Sequence, residues 1–187
     1  MSHRDRLPSR GFSSTSHCCT GGGAAWFASQ CGVKAIEWDI AETSGGGPFP
    51  QLLDVDIVVN AIYLSSKIPP FLTLEMLQAA PSNARLSVLV DVSCDASNPN
   101  NPFPIYSQIT TLFDPVLSVS AGAGKPTVDV VAIDHLPSLM PLESSEQFSH
   151  DILPHVLTLA RPRDSAVWSR AEQLFQEKAQ LAQAQAQ

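Results

Sequence analysis

Short apolar runs that end in polar residues recur along the chain. They are Val33–Trp38 before Asp39, Asp56–Leu64, Leu86–Val92, Val116–Ser120 and Val128–Ile133 before Asp134. Each is too short for an ordinary helix, and most are rich in Val and Ile, which predicts strands of a sheet buried on both faces. Leu86–Asp95 (LSVLVDVSCD) is the central one, because its apolar run stops abruptly at Asp91, Ser93, Cys94 and Asp95. Between the runs, Thr20–Gly32 predicts a glycine turn feeding a short Ala-rich helix with Gly32 as its cap. Phe71–Ala80 places Leu72, Leu74, Met76 and Leu77 at helical spacing. Ile105–Phe113 fits helix or strand equally. Alternation of this kind predicts an α/β fold built on a doubly wound parallel sheet.

Beyond Pro137 the pattern turns helical. Leu142–Ala160 reads as a helix interrupted at Pro154. Asp164 suits the N-cap of a last helix from Ser165 to about Gln180. Val167, Trp168, Ala171, Leu174 and Phe175 share one face of that helix. The expected organisation is therefore a disordered or atypical start over 1–17, a sheet domain over 18–141 and C-terminal helices over 142–187. No strand is read in Ser13–Cys19 ahead of the glycines, so the first strand of the sheet is expected to be missing.

A length of 187 residues with 44% apolar and 16% charged residues describes a globular protein. A net charge of −7 without a Lys/Arg cluster argues against a nucleic-acid partner. No run approaches the roughly 20 apolar residues of a membrane span, and no apolar stretch follows the first basic residues as a secretory signal would require. Cys18, Cys19, Cys31 and Cys94 form no CxxC, so no metal site and a reducing, cytoplasmic setting are expected.

The candidate chemistry sits where the apolar runs stop. In open α/β sheets, ligands lie outside the carboxyl ends of the strands. Asp39 follows the glycines at about the 20-residue spacing at which an acid meets the ribose of a bound dinucleotide. A plain Gly-rich linker explains the same glycines equally well, since the third glycine of the fingerprint is absent. Tyr63, Val92, Ser93, Cys94, Asp95 and Asp134-His135-Leu136 stand at other strand ends. Carboxylates at these positions suit sugar hydroxyls or an amine. His135 is a candidate catalytic residue by its residue type, and it also fits a turn residue. No G-x-S-x-G elbow surrounds Ser93.

Four long segments then acquire a common meaning: EWDIAETSGGGPFPQLLDVDIVVNAIYLSSKIPPF, LVDVSCDASNPNNPFPIY, VAIDHLPSLMPLESSEQFSHDILP and AVWSRAEQLF. In these the chain resembles the C-terminal half of the fungal saccharopine dehydrogenases, the NAD-dependent, lysine-forming enzymes. The resemblance implies a partial Rossmann-like sheet with NAD as cofactor. It assigns Asp39, supported by Thr43, to the adenosine ribose. Tyr63, Val92, Ile133, Asp134, His135 and Leu136 are assigned to the dinucleotide, and Ser93, Cys94 and Asp95 to saccharopine. His135 becomes a cofactor contact. The family's proton-transfer Lys and His, and its carboxylate-gripping arginines, belong to an N-terminal region that has no counterpart here, so no catalytic acid or base is assigned. Where the family carries Gly-Arg-Cys before Gly-Ser-Gly, this chain has Cys18, Cys19 and Thr20. The expectation is a shortened enzyme chain without turnover of its own, its ligands saccharopine, or lysine and 2-oxoglutarate. The alternative is a non-catalytic nucleotide-binding or assembly fragment that docks a complementary N-terminal half.

Overall fold

A computed structural model describes residues 11–15, 19–62, 64, 66–94 and 96–185. The chain divides into two compact units, residues 1–136 and 137–187.

The first unit is organised by a six-stranded sheet. Strand β1 (Gly11–Thr15) leads into helix α1 (Cys19–Gln30) and strand β2 (Lys34–Trp38). A one-turn helix, α2 (Ile40–Thr43), then precedes β3 (Ile57–Asn60), α3 (Leu74–Ala79), β4 (Val88–Asp91), β5 (Leu117–Ser120) and β6 (Thr127–Val131). The spatial order is β2-β1-β3-β4-β6-β5, parallel throughout except for the antiparallel edge strand β5.

Gly11–Thr15 corrects the expectation that the first strand is missing. The segment GFSST has almost no apolar signal, yet it pairs in parallel with β2 on one side and β3 on the other. Backbone hydrogen bonding to two neighbours forms a strand where side-chain pattern gives no warning. The glycines are corrected too. Gly21, Gly22 and Gly23 lie inside the first turns of α1 rather than in a turn ahead of it. Gly21, Ala25 and Ala28 are its buried face, small enough for the helix to lie close on the sheet. At the other end Gly32 has φ of +69°, the Val33 amide donates to the Ala28 carbonyl, and the Gly32 amide donates to that of Ser29. This is the Schellman arrangement, and it returns the chain directly into β2.

Two faces of the sheet are covered by different material, as double winding requires. On one face Val58, Leu89, Val128 and Val130 are fully buried against Leu52, Phe71, Leu72, Leu77 and Phe103. On the other, Val59 packs with Ala28 of α1, flanked by half-buried Val90 and Val92. Helix α3 starts where the Thr73 hydroxyl accepts from the Met76 amide over 3.2 Å. Ile105–Phe113, ambiguous in sequence, is neither helix nor strand, and Ile105, Tyr106 and Thr110 plug the core from an irregular segment.

The second unit holds α4 (Pro141–Leu157) and α5 (Ala166–Gln185). Pro154 does not interrupt α4. It lies inside the helix, where its nitrogen has no proton to donate. Asp164 belongs to a 3-10 turn, Pro162–Asp164, so Ser165 rather than Asp164 directly precedes α5. The Trp168 indole N–H donates to the His155 carbonyl over 2.9 Å and ties the two helices together. Phe148, Leu153, Leu174 and Phe175 are all more than half exposed. Among the described residues no helix is long and apolar enough to cross a membrane.

Candidate functional site

Sheet register brings the candidate residues to one edge. Trp38 pairs with Thr15, Thr15 with Asn60, and Asn60 with Asp91, so the last residues of β2, β1, β3 and β4 form a row. Directly beyond that row the chain continues as Asp39 after β2, Ala61–Ile62 after β3 and Val92–Cys94 after β4. Beyond β6, next to β4, it continues as Ala132–Leu136. Winding reverses at β1, which has β2 on one side and β3 on the other. Such a switch point opens a crevice at the carboxyl edge of the strands.

Asp39 is half-buried and caps α2, its own amide donating to Glu42 Oε2 over 2.7 Å. Thr43 is buried, and its hydroxyl donates to the Asp39 carbonyl over 2.8 Å. Thr43 therefore fixes the backbone of Asp39 rather than presenting its own hydroxyl outward. Trp38, one residue back, begins a chain of ring contacts through Phe49 and Phe71 to Phe103, with centroids 5.2, 5.0 and 5.8 Å apart. These edge-on and tilted pairs anchor the end of β2 in the core.

Asp91 is the most committed group at the edge. It is fully buried, and Oδ1 accepts from Asn60 Nδ2 at 2.9 Å and from the Cys94 amide at 3.2 Å. Its Oδ2 accepts from the Tyr106 hydroxyl at 2.7 Å. A buried carboxylate is tolerable only with such donors. Asn60, also fully buried, accepts from the Ile62 amide at 3.3 Å, and its carbonyl accepts from the Val92 amide at 2.8 Å. The half-buried Ser93 donates its hydroxyl to the Ile62 carbonyl over 2.8 Å. Cys94 is half-buried with φ of 53°, a left-handed conformation unusual for a residue with a side chain.

Val92 packs with Val59 and Ala28, and Ile133 is buried. Asp134 and His135 are exposed, with His135 Nδ1 lying 2.5 Å from Asp134 Oδ1. An exposed neighbour pair of this kind adds little to stability. Leu136 opens a 3-10 turn, Leu136–Leu139. Tyr63 and Asp95 lie outside the described residues, as do the residues joining β1 to α1. Among the described residues no group of three or more His, Cys, Asp or Glu is placed to hold a metal ion.

Sequence pattern passes over Asn60 and Tyr106. The signal available for Asn60 is a lone amide inside the apolar run DIVVNAIYL, opposite the Asp that ends the next run. Tyr106 carries no local signal, since its partner stands at the end of β4, on the far side of an irregular segment.

The arrangement fits a dinucleotide. The first turn of α1 contains no acidic side chain, and ideal Cβ atoms on Gly22 and Gly23 would meet nothing within 4 Å. Helix amides there are free of repulsion toward pyrophosphate, and Asp39 stands at the end of the neighbouring strand.

No family model matches the chain. Among curated proteins it is 49% identical over 166 residues to the saccharopine dehydrogenase (NAD(+), L-lysine-forming) of Emericella nidulans, covering 84% of this chain and 43% of that protein. The Neurospora crassa protein of the same name is 47% identical over 161 residues, with shares of 84% and 43%. That of Schizosaccharomyces pombe is 45% identical over 159 residues, with shares of 83% and 43%. The chain thus spans a little under half the length of the relatives it matches. With more than four fifths of its residues aligned at this identity, the chain belongs to the saccharopine dehydrogenase (NAD(+), L-lysine-forming) family and corresponds to the C-terminal part of its members.

Proposed function

We propose that this chain is the nucleotide-binding half of an NAD-dependent, lysine-forming saccharopine dehydrogenase. The single observation that supports this most is the register row Trp38–Thr15–Asn60–Asp91, which sends every described candidate segment out of the same sheet edge at the switch point. Asp39, steadied by Thr43, would accept hydrogen bonds from the adenosine ribose. The N-terminal amides of α1 would meet the pyrophosphate, and Tyr63, Val92, Ile133, Asp134, His135 and Leu136 would line the dinucleotide. Ser93, Cys94 and Asp95 would border saccharopine. Ser93 has its hydroxyl proton committed to Ile62, so its role toward substrate is as an acceptor.

NAD, held by Asp39, the first amides of α1 and the dinucleotide-lining residues, would supply the hydride acceptor for oxidation of saccharopine's secondary amine. The amine proton would leave to a base outside the candidate residues, and hydrolysis of the resulting imine would release lysine and 2-oxoglutarate. The candidate residues described bind and orient, and none is assigned as proton-transfer acid or base. Loss of such a group costs about 10²–10⁴-fold in rate, so the chain alone is proposed to bind nucleotide without turnover. Its complement would be a separate N-terminal half, docked on apolar residues of α4 and α5, in the cytoplasm.

The test is a fluorescence titration of the chain with NADH, alone and with the N-terminal part of the Neurospora crassa relative. Saturable binding supports the proposal. Absence of binding under both conditions overturns it. Lysine- and 2-oxoglutarate-dependent NADH oxidation by the chain alone would overturn the proposal that none of its residues acts as proton-transfer acid or base.

A further inference from the structure

We propose that Asn60 and Asp91, completed by Tyr106, are positioning residues that brace the loops after β3 and β4 into one unit for ligand binding. The inference rests on the nucleotide-binding reading above. Asn60 and Asp91 are register partners on adjacent parallel strands, both fully buried, joined side chain to side chain at 2.9 Å. Each side chain also bonds the loop that follows its own strand. Asn60 Oδ1 takes the Ile62 amide of the first loop, and Asp91 Oδ1 takes the Cys94 amide of the second.

Two further bonds tie the second loop to the end of β3 and to the first loop. The Val92 amide donates to the Asn60 carbonyl, and the Ser93 hydroxyl to the Ile62 carbonyl. Neither loop can shift without breaking bonds held by the other. Cys94 shows the cost that the brace sustains: its left-handed backbone is disfavoured for an L-residue and is held by the amide bond to Asp91. Tyr106, from an irregular segment beneath, occupies Oδ2 and leaves Asp91 no freedom to rotate. A satisfied buried network of this kind specifies one geometry, and binding groups held by such support lose less on engaging a ligand.

Asn60 and Tyr106 act through the loops and not by touching the ligand, unlike Val92 or Ser93. The brace fixes where the carbonyls, amides and side chains of both loops stand, and so acts on nucleotide affinity through them.

The experiment uses the full chain and two readouts. Amide hydrogen exchange follows Ile62 and Cys94 against Val58 and Leu89 in the strands. NADH titration follows affinity. In Asn60→Ala, exchange at Ile62 and Cys94 is expected to rise at least about tenfold relative to the strand amides, and the NADH Kd to rise by roughly tenfold. Tyr106→Phe, the gentler change, gives the same pattern at smaller size should Asn60→Ala fail to fold. Thr73→Ala, a destabilised control at the N-cap of α3 and outside the candidate segments, leaves the Kd unchanged.

Asn60→Asp sets two carboxylates together and weakens binding. Adding Asp91→Asn restores an amide–carboxylate pair and recovers part of the affinity. Unchanged exchange at Ile62 and Cys94 in the folded variants overturns the brace. Accelerated exchange with wild-type affinity overturns its positioning role, as does a double variant with no recovery. A wild-type chain that binds no NADH alone or with its complement overturns the nucleotide reading, and the positioning role with it. The exchange arm then still decides whether the brace exists.

Discussion

The Tyr106 hydroxyl donates to Asp91 Oδ2 over 2.7 Å, between two buried side chains separated by the irregular chain that follows β4. This bond fastens an otherwise patternless segment to the end of a central strand. Tyr106→Phe keeps the ring and removes this hydrogen bond to a buried carboxylate, at a cost of about 1–3 kcal/mol. The urea midpoint should fall with an unchanged slope, because the surface exposed on unfolding is the same.

Asp39→Asn separates charge from structure. Asn caps helices about as well as Asp, so stability should stay within about 0.5 kcal/mol. The proposed ribose contact loses its double acceptor, and the NADH Kd should rise by roughly tenfold, as a charge-assisted hydrogen bond of that class implies. Equal affinity for both proteins in the titration would remove Asp39 from the site.

Gly47 admits no side chain. A Cβ there would stand 2.1 Å from the Pro70 carbonyl oxygen and 2.7 Å from the Phe71 Cα, both of them backbone. The neighbouring bonds, Gly47 amide to Pro69 carbonyl and Phe49 amide to Phe71 carbonyl, hold the loop after α2 against the segment before α3. Gly47→Ala must therefore push these strips of chain apart. A loss of about 2 kcal/mol or more is expected, read as a lower thermal midpoint. Gly22→Ala, with open space around it, should be stabilising by roughly 0.5–1 kcal/mol.

Thr73 and Glu75 give a pH signature. Glu75 is held below the ordinary carboxylate range by a backbone hydrogen bond and by the Thr73 hydroxyl. A folded-state value depressed below the unfolded one contributes stability above the unfolded value, about 4.3, and loses it as pH falls through the folded value. Thr73→Ala removes the N-cap at a cost of about 1 kcal/mol. The difference between wild type and variant should shrink below about pH 4, leaving the part due to the Met76 amide. Chemical denaturation at pH 7 and pH 3 measures both parts.

Much of the sheet was legible because burial on both faces writes itself into the chain. Val58, Leu89 and Val130 sit in apolar runs whose ends fall within a few residues of β3, β4 and β6. Gly32 announced its cap because a left-handed terminus is easiest without a Cβ. Strand β1 escaped notice because Gly-Phe-Ser-Ser-Thr is placed by its two partners' backbones rather than by apolar content. Pro154 misled in the opposite sense, since a single missing amide near the end of a long helix does not stop it. Of the candidate edge, Asp39 and Val92–Cys94 could be marked from strand ends alone. The Asn60–Asp91–Tyr106 bonding could not, because it depends on which strands become neighbours.

The seat of β1 between β2 and β3 bears on how the protein is made. This strand leaves the ribosome before either neighbour, yet it belongs in the interior of the finished sheet. Both of its edges stay open until β2 and then β3 emerge, and β2 and β3 cannot close on each other in its place without losing the register row. Unpaired edges in partly synthesised chains invite mispairing. The yield of soluble protein should therefore respond to translation speed across the β2–β3 stretch more than to codon changes in the segments encoding α4 and α5.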